Sequence, residues 1–122
     1  MIRGEIWWTD FGIPFGSEPG YRRPSVIVQN DSFNKSRINT VLIVPFTTNL
    51  LLSEAPGNVL VEKKESGLTK DGVVVVSQLT VIDRQRLIEK AGRLTASIMK
   101  EIEFGLKMVL GMHNSGEQTA TI

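Results

Sequence analysis

The stretch Tyr21-Arg22-Arg23-Pro24-Ser25-Val26-Ile27-Val28-Gln29-Asn30 sets two guanidinium groups directly before a proline and a β-branched apolar run. Proline fixes φ and lacks an N–H, so it suits the first residue of a strand, and Val-Ile-Val suits a buried pleated surface. The reading is a strand over 24–29 with both arginines at its lip. A charge placed there is held by a rigid element and still faces solvent, which is how a site is commonly mounted on a scaffold. The competing reading is an ordinary solvated surface charge.

The same strand signature recurs on either side. Glu5 to Thr9 reads as a first strand carrying both tryptophans, and adjacent tryptophans on a strand point to opposite faces. Between the two strands Gly12, Pro14, Gly16, Pro19 and Gly20 make a mobile loop over 10–20, the kind that serves as a lid or binding loop. Asn30 to Asn34 favours a turn or one helical turn. Thr40 to Phe46 reads as a central strand buried on both faces and ending near Pro45, with Thr47-Thr48-Asn49 at its end. Leu50-Leu51-Leu52 falls in a connection, either covered by a partner or tucked beneath the loop.

Asn58 to Glu62 and Gly72 to Ser77 supply two more strands around the polar segment Lys63 to Asp71, and Gln78 follows. Val81 to Arg86 reads as a helical turn and Leu87 to Arg93 as a short last strand. Thr95 is a plausible N-cap for a helix to about Gly111, with Ile98, Met99, Ile102, Leu106, Val109 and Leu110 on one stripe. About six short strands and one terminal helix imply a mainly β fold with α: a small, strongly curved antiparallel sheet or barrel. Strand count does not separate an SH3-like barrel from an OB-fold. Residues 1–112 are expected to form a single domain, and 113–122 a polar, disordered tail.

At 122 residues the chain can bury a core without metal or disulfide support. It contains no cysteine, which removes thiolate chemistry and fits a reducing cytoplasm. Fourteen basic against thirteen acidic side chains give a net charge of +1, so nucleic-acid binding would need a local cluster. No signal peptide or membrane-length apolar run is visible, which makes a cytoplasmic protein without membrane association the expectation.

Absences narrow the chemistry. The single histidine, His113, lies in the tail, so a Ser-His-Asp arrangement has nowhere to assemble. No metal-ligand spacing and no phosphate-cradling glycine loop is present, so no metal and no cofactor is expected. Polar groups at strand ends remain: Arg22 and Arg23, Thr47 and Thr48, Ser77 and Gln78. Arginine's planar fork matches a phosphate, and hydroxyls can donate to its oxygens, which outlines an anion site. Threonine pairs after strands are also common for structural reasons alone.

Arg3-Gly4-Glu5-Ile6-Trp7-Trp8, Gly16-Ser17-Glu18, Arg23-Pro24 into Val26 to Asp31, Pro45-Phe46-Thr47-Thr48, and Gln78 followed by Ile82 to Leu87 resemble, in order and spacing, the MazF/PemK toxins. The likeness runs from about Arg3 to Gly111. It implies an SH3-like barrel with a C-terminal helix (CcdB/PemK-like), a homodimer, and a sequence-specific endoribonuclease that cuts single-stranded RNA without a metal. It also implies a cognate antitoxin whose disordered tail blocks the RNA groove, the pair binding DNA. Catalysis falls on Arg23 and Thr47, with Thr48 next to the threonine position. Glu18, Tyr21, Arg22, Thr48, Ser77 and Gln78 are candidates for binding substrate, Gln78 through its amide and Tyr21 by stacking. Some plasmid-borne relatives use an arginine and an aspartate where this chain has Val75 and Ser77, so their acid–base assignment does not transfer.

With RNA as substrate, the ribose 2′-OH is the nucleophile and the protein must align it and stabilise charge on the phosphorane. Charge stabilisation is the favoured role for Arg23, with proton transfer as an open alternative. The rival from another class is a non-enzymatic toxin acting on a protein such as gyrase, like the CcdB group, whose activity sits in its terminal helix. A plain RNA-binding module is a third possibility.

Overall fold

The computed structural model describes residues 1–112; the expected tail and His113 lie outside the described residues. Seven strands pair antiparallel: β1 (Glu5–Asp10), β2 (Arg22–Ile27), β3 (Thr40–Thr47), β4 (Val59–Val61), β5 (Gly72–Val74), β6 (Thr80–Asp83) and β7 (Leu87–Arg93). Their order is β4-β5-β3-β2-β1-β7, with β6 added to β3. Three helices accompany them: α1 (Asp31–Asn34), α2 (Lys63–Ser66) and α3 (Ala96–Leu110). Among the described residues no helix is long and apolar enough to cross a membrane.

The hub is β3, whose two faces feed different cores, as a strand apolar on both sides requires. Val44 and Phe46 join Ile6, Val26, Val74 and Val76 beneath α3, where Ile98, Met99 and Ile102 complete the larger core. Val41 and Ile43 join Ile27 and Ile82 on the other side, with Trp7, Phe11 and Leu87 packed against them. The strand runs through Pro45 to Thr47 instead of stopping near the proline. Pro45 falls between the last β6 pair, Ile43↔Thr80, and the first β5 pair, Phe46↔Val74, so its missing N–H interrupts neither ladder.

Several expectations need correction. The second strand begins at Arg22, so both arginines lie within it, opposite Asp10 and Thr9 of β1. Proline need not open the strand, because pairing with β3 starts only at Ser25. The strand also ends at Ile27, and the Gln29 side chain takes over its polar contacts, donating to Asn34 Oδ1 at 2.9 Å and accepting from the Leu42 N–H at 3.2 Å. Residues 80–83 form a strand and not a helical turn: Ile82 is buried and Val81 exposed, the alternation of a half-buried strand, and only Arg84–Arg86 make a 3₁₀ turn. Likewise β5 stops at Val74. Val76–Gln78 turn in a 3₁₀ helix, the Val76 N–H donating to Asn58 Oδ1 at 3.1 Å.

The terminal helix follows its sequence signals. Thr95 Oγ1 accepts the Ile98 N–H at 3.2 Å, and Gly111 closes the helix in the left-handed conformation. Its apolar stripe outruns the core, however, leaving Val109 and Leu110 exposed. Leu50–Glu54 form a 3₁₀ turn with Leu50, Leu51 and Leu52 facing solvent and not tucked beneath it.

The N-terminal strand is pinned at its root. Burial raises the proton affinity of the Glu5 carboxyl, but Lys90 Nζ at 2.9 Å, the Ile2 N–H at 2.8 Å and Trp7 Nε1 at 3.1 Å outweigh this. The group is held below the usual carboxylate range. Arg3 ties the same region to α3 through Glu103 at 2.8 Å, while its own N–H donates to Asp31 Oδ1. The result is a fixed β1, and with it a fixed Trp8.

Candidate active site

At the ends of β2 and β3 the sheet opens into a cavity of about 300 Å³. Arg22 and Arg23 reach it from β2, and Thr47 and Thr48 from the end of β3. These four expected residues are brought together although the two pairs lie far apart in sequence. Trp8 and Phe46 give the cavity apolar surface, and Leu68 to Gly72, leading into β5, line it as well.

The two threonines differ. Thr47 is half-buried, paired opposite Val73, and its Oγ1 accepts the Asn49 N–H at 3.2 Å. That contact fills an acceptor site and leaves the hydroxyl hydrogen free to donate. Thr48 is exposed and, among the described residues, makes no such bond. The arginines differ in the same sense: Arg23 is half-buried and Arg22 exposed. One member of each pair is therefore held close to the sheet, and its neighbour stands at the rim.

The other candidates are not gathered here. Glu18 lines a separate groove between the β1–β2 connection and β6, together with Phe11, Ile13, Phe15 and Arg86. Arg86 steadies that connection by donating to the Asp10 carbonyl at 3.1 Å. Tyr21 is 68% exposed and adopts a left-handed φ of 58°, held by hydrogen bonds from its N–H to the Gly12 carbonyl and from the Phe11 N–H to its own. Ser77 is exposed on the 3₁₀ turn, and Gln78 Oε1 is buried there without a hydrogen-bond partner among the described residues. None of these three lines the cavity.

Sequence reading passed over Trp8 and the 68–72 wall. The first was foreshadowed, since Trp7 and Trp8 must face opposite ways and Trp7 packs on the second core. The second carried only a turn signal, Lys70-Asp71-Gly72. Pairing of β5 beside β3 is what brings that turn next to Thr47. Among the described residues no three His, Cys, Asp or Glu side chains gather where they could hold a metal ion.

Residues 2–110 match the family described as PemK-like, MazF-like toxin of type II toxin-antitoxin system. The sequence is 38% identical over 112 residues to Endoribonuclease MazF2 of Mycobacterium bovis, covering 92% of this chain and 98% of the relative. It is also 38% identical over 112 residues to Endoribonuclease MazF of Staphylococcus epidermidis, covering 92% of each. Among solved structures, MazF from Deinococcus radiodurans superposes with a TM-score of 0.77 at 25% identity, covering 92% of this chain and 97% of that one. An endoribonuclease in complex with its cognate antitoxin, from a mycobacterial species, gives 0.72 at 25% identity, covering 93% and 95%.

Proposed function

This chain belongs to the PemK/MazF family of type II toxin–antitoxin toxins, a family of endoribonucleases, and we propose that it cuts single-stranded RNA sequence-specifically and without a metal. The observation that carries this reading is the convergence of Arg22, Arg23, Thr47 and Thr48 on one cavity. The ribose 2′-oxygen attacks the adjacent phosphorus while the bond to the 5′-oxygen breaks. The 2′-OH proton is lost, the leaving oxygen takes one up, and the products are a 2′,3′-cyclic phosphate and a 5′-OH. Arg23 stabilises the charge that builds on the phosphorane, and the Thr47 hydroxyl donates a second hydrogen bond to it. Arg22 and Thr48, at the rim, meet the strand on either side of that phosphate.

A mixed pool of single-stranded RNA should therefore be cut undiminished in excess chelator, and the same sequences as DNA should stay intact, since DNA has no 2′-OH. RNA left whole by the purified protein would return the reading to a toxin that acts on a protein target.

The exposed Leu50, Leu51 and Leu52 beside the exposed Leu60 of edge strand β4 support a homodimer, with a second copy covering them. Light scattering should give the dimer mass for the native chain and a monomer for Leu51→Glu; a native monomer would contradict this. A relative bound to its cognate antitoxin supports the same kind of partner here, with a disordered tail laid over the RNA cavity.

A further inference from the structure

The cavity has a third cation, and the fold builds a support for it. Lys70, on the α2–β5 turn, lines the same cavity as the β2 arginines. That turn is secured at both ends. Helix α2 is capped reciprocally by Glu62 and Glu65, and Gly67 leaves it in the left-handed conformation at φ 79°. Ser66 is buried against β7 at Gly92, where a Cβ would collide with the Ser66 carbonyl. Its hydroxyl accepts the Leu68 N–H at 3.0 Å, and Leu68 packs on the larger core.

The charges around the cavity do not cancel. Arg22, Arg23 and Lys70 face a single carboxylate, Asp71, whose Oδ1 already accepts the Lys63 N–H at 2.7 Å and so closes the turn. Among the described residues, none of the three cationic side chains makes an ion pair or hydrogen bond. Like charges gathered on one concavity raise the local potential for a polyanion. With Trp8 as a flat apolar surface beside them, the space suits one nucleotide with a phosphate on each side of its sugar.

We propose that Lys70 is a substrate-binding residue that holds the phosphate next to the scissile one, making the 68–72 turn the second wall of the RNA track. The assignment rests on the ribonuclease reading above. A lysine, as a compact hydrated point charge, suits a phosphate that is gripped and released without chemistry, whereas the scissile group is left to the arginine fork.

The test uses the full chain and Lys70→Gln, titrated with a fluorescein-labelled randomised dodecamer of 2′-O-methyl RNA, which binds but lacks a nucleophile. The plot of log Kd against log salt should become shallower by about 0.7, one phosphate contact on a single strand. On unmodified RNA, KM should rise by a larger factor than kcat falls, and Lys70→Arg should restore the slope. Lys70 is exposed and, among the described residues, unpaired, so circular dichroism should match the native chain. A Lys70→Gln variant with native slope and KM, in a preparation whose native chain cuts RNA, would overturn the role of Lys70 alone. Failure of the native chain to bind or cut either RNA would remove the ribonuclease reading and this assignment together.

Discussion

Arg23→Ala will lose RNA cleavage by about 10² to 10³ or more, roughly 3 to 4 kcal/mol of transition-state stabilisation, while the chain stays folded and still binds RNA. The guanidinium makes no hydrogen bond or ion pair within the described residues, so its removal leaves no orphaned partner. The backbone at this position is fixed by pairing with Thr9, and a β-strand tolerates alanine there at small cost. The loss should therefore appear in the single-turnover rate and much less in the Kd for non-cleavable RNA, because Arg22 and Lys70 still line the cavity. Arg23→Lys should recover only part of the rate, since the ammonium keeps the charge but not the planar fork. A module that merely binds RNA would give the opposite pattern: weaker binding and no cleavage in either protein.

The largest effect on stability is expected far from the cavity, at Gly105→Ala. In the middle of an ordinary helix this change adds up to about 1 kcal/mol of stability. Here α3 crosses the 55–58 connection so closely that a Cβ on Gly105 would collide with the Gly57 carbonyl oxygen and stand 3.0 Å from Val76 Cγ1. Gly57 is itself held at φ 83° and has little room to withdraw, because a Cβ there would already meet Val76 and Gly105 at 3.1 Å. Overpacking of this kind costs about 3 kcal/mol, and for a domain of this size the melting temperature should drop by roughly 10 °C. An unchanged or raised melting temperature would mean that helix and connection can part without penalty.

What was legible in the sequence followed from periodicity and end signals. Strand β3 and helix α3 stand close to where a β-branched run and the Thr95 and Gly111 caps place them, and strand β7 keeps its expected bounds. The misplacements share a cause: polar and proline residues look like local boundaries, and tertiary pairing overrides them. Arg22 and Arg23 extend β2 because β1 runs alongside them, and Pro45 survives inside β3 because it falls between two partner strands. Residues 80–83 became a strand because β3 offered an unpaired edge to a β-branched pair.

The site divides along the same line. Arg22, Arg23, Thr47 and Thr48 stand out as polar groups at the ends of recognisable strands, and the family resemblance is what singles out Arg23 and Thr47 among them. Lys70 and Trp8 do not, because their proximity depends on which strands pair and which face a side chain takes. Glu18 and Tyr21, both on the β1–β2 connection, are steered elsewhere by backbone hydrogen bonds and a left-handed turn that short-range patterns do not reveal.

The most direct measurement is to sequence and chemically type the ends made when the purified protein cuts a mixed single-stranded RNA pool. The account predicts 5′-OH and 2′,3′-cyclic phosphate ends clustered at one short recurring sequence, and none with Arg23→Ala. Cuts bearing 5′-phosphates, or ends made equally by Arg23→Ala, would contradict attack by the substrate's own 2′-OH in the cavity between β2 and β3.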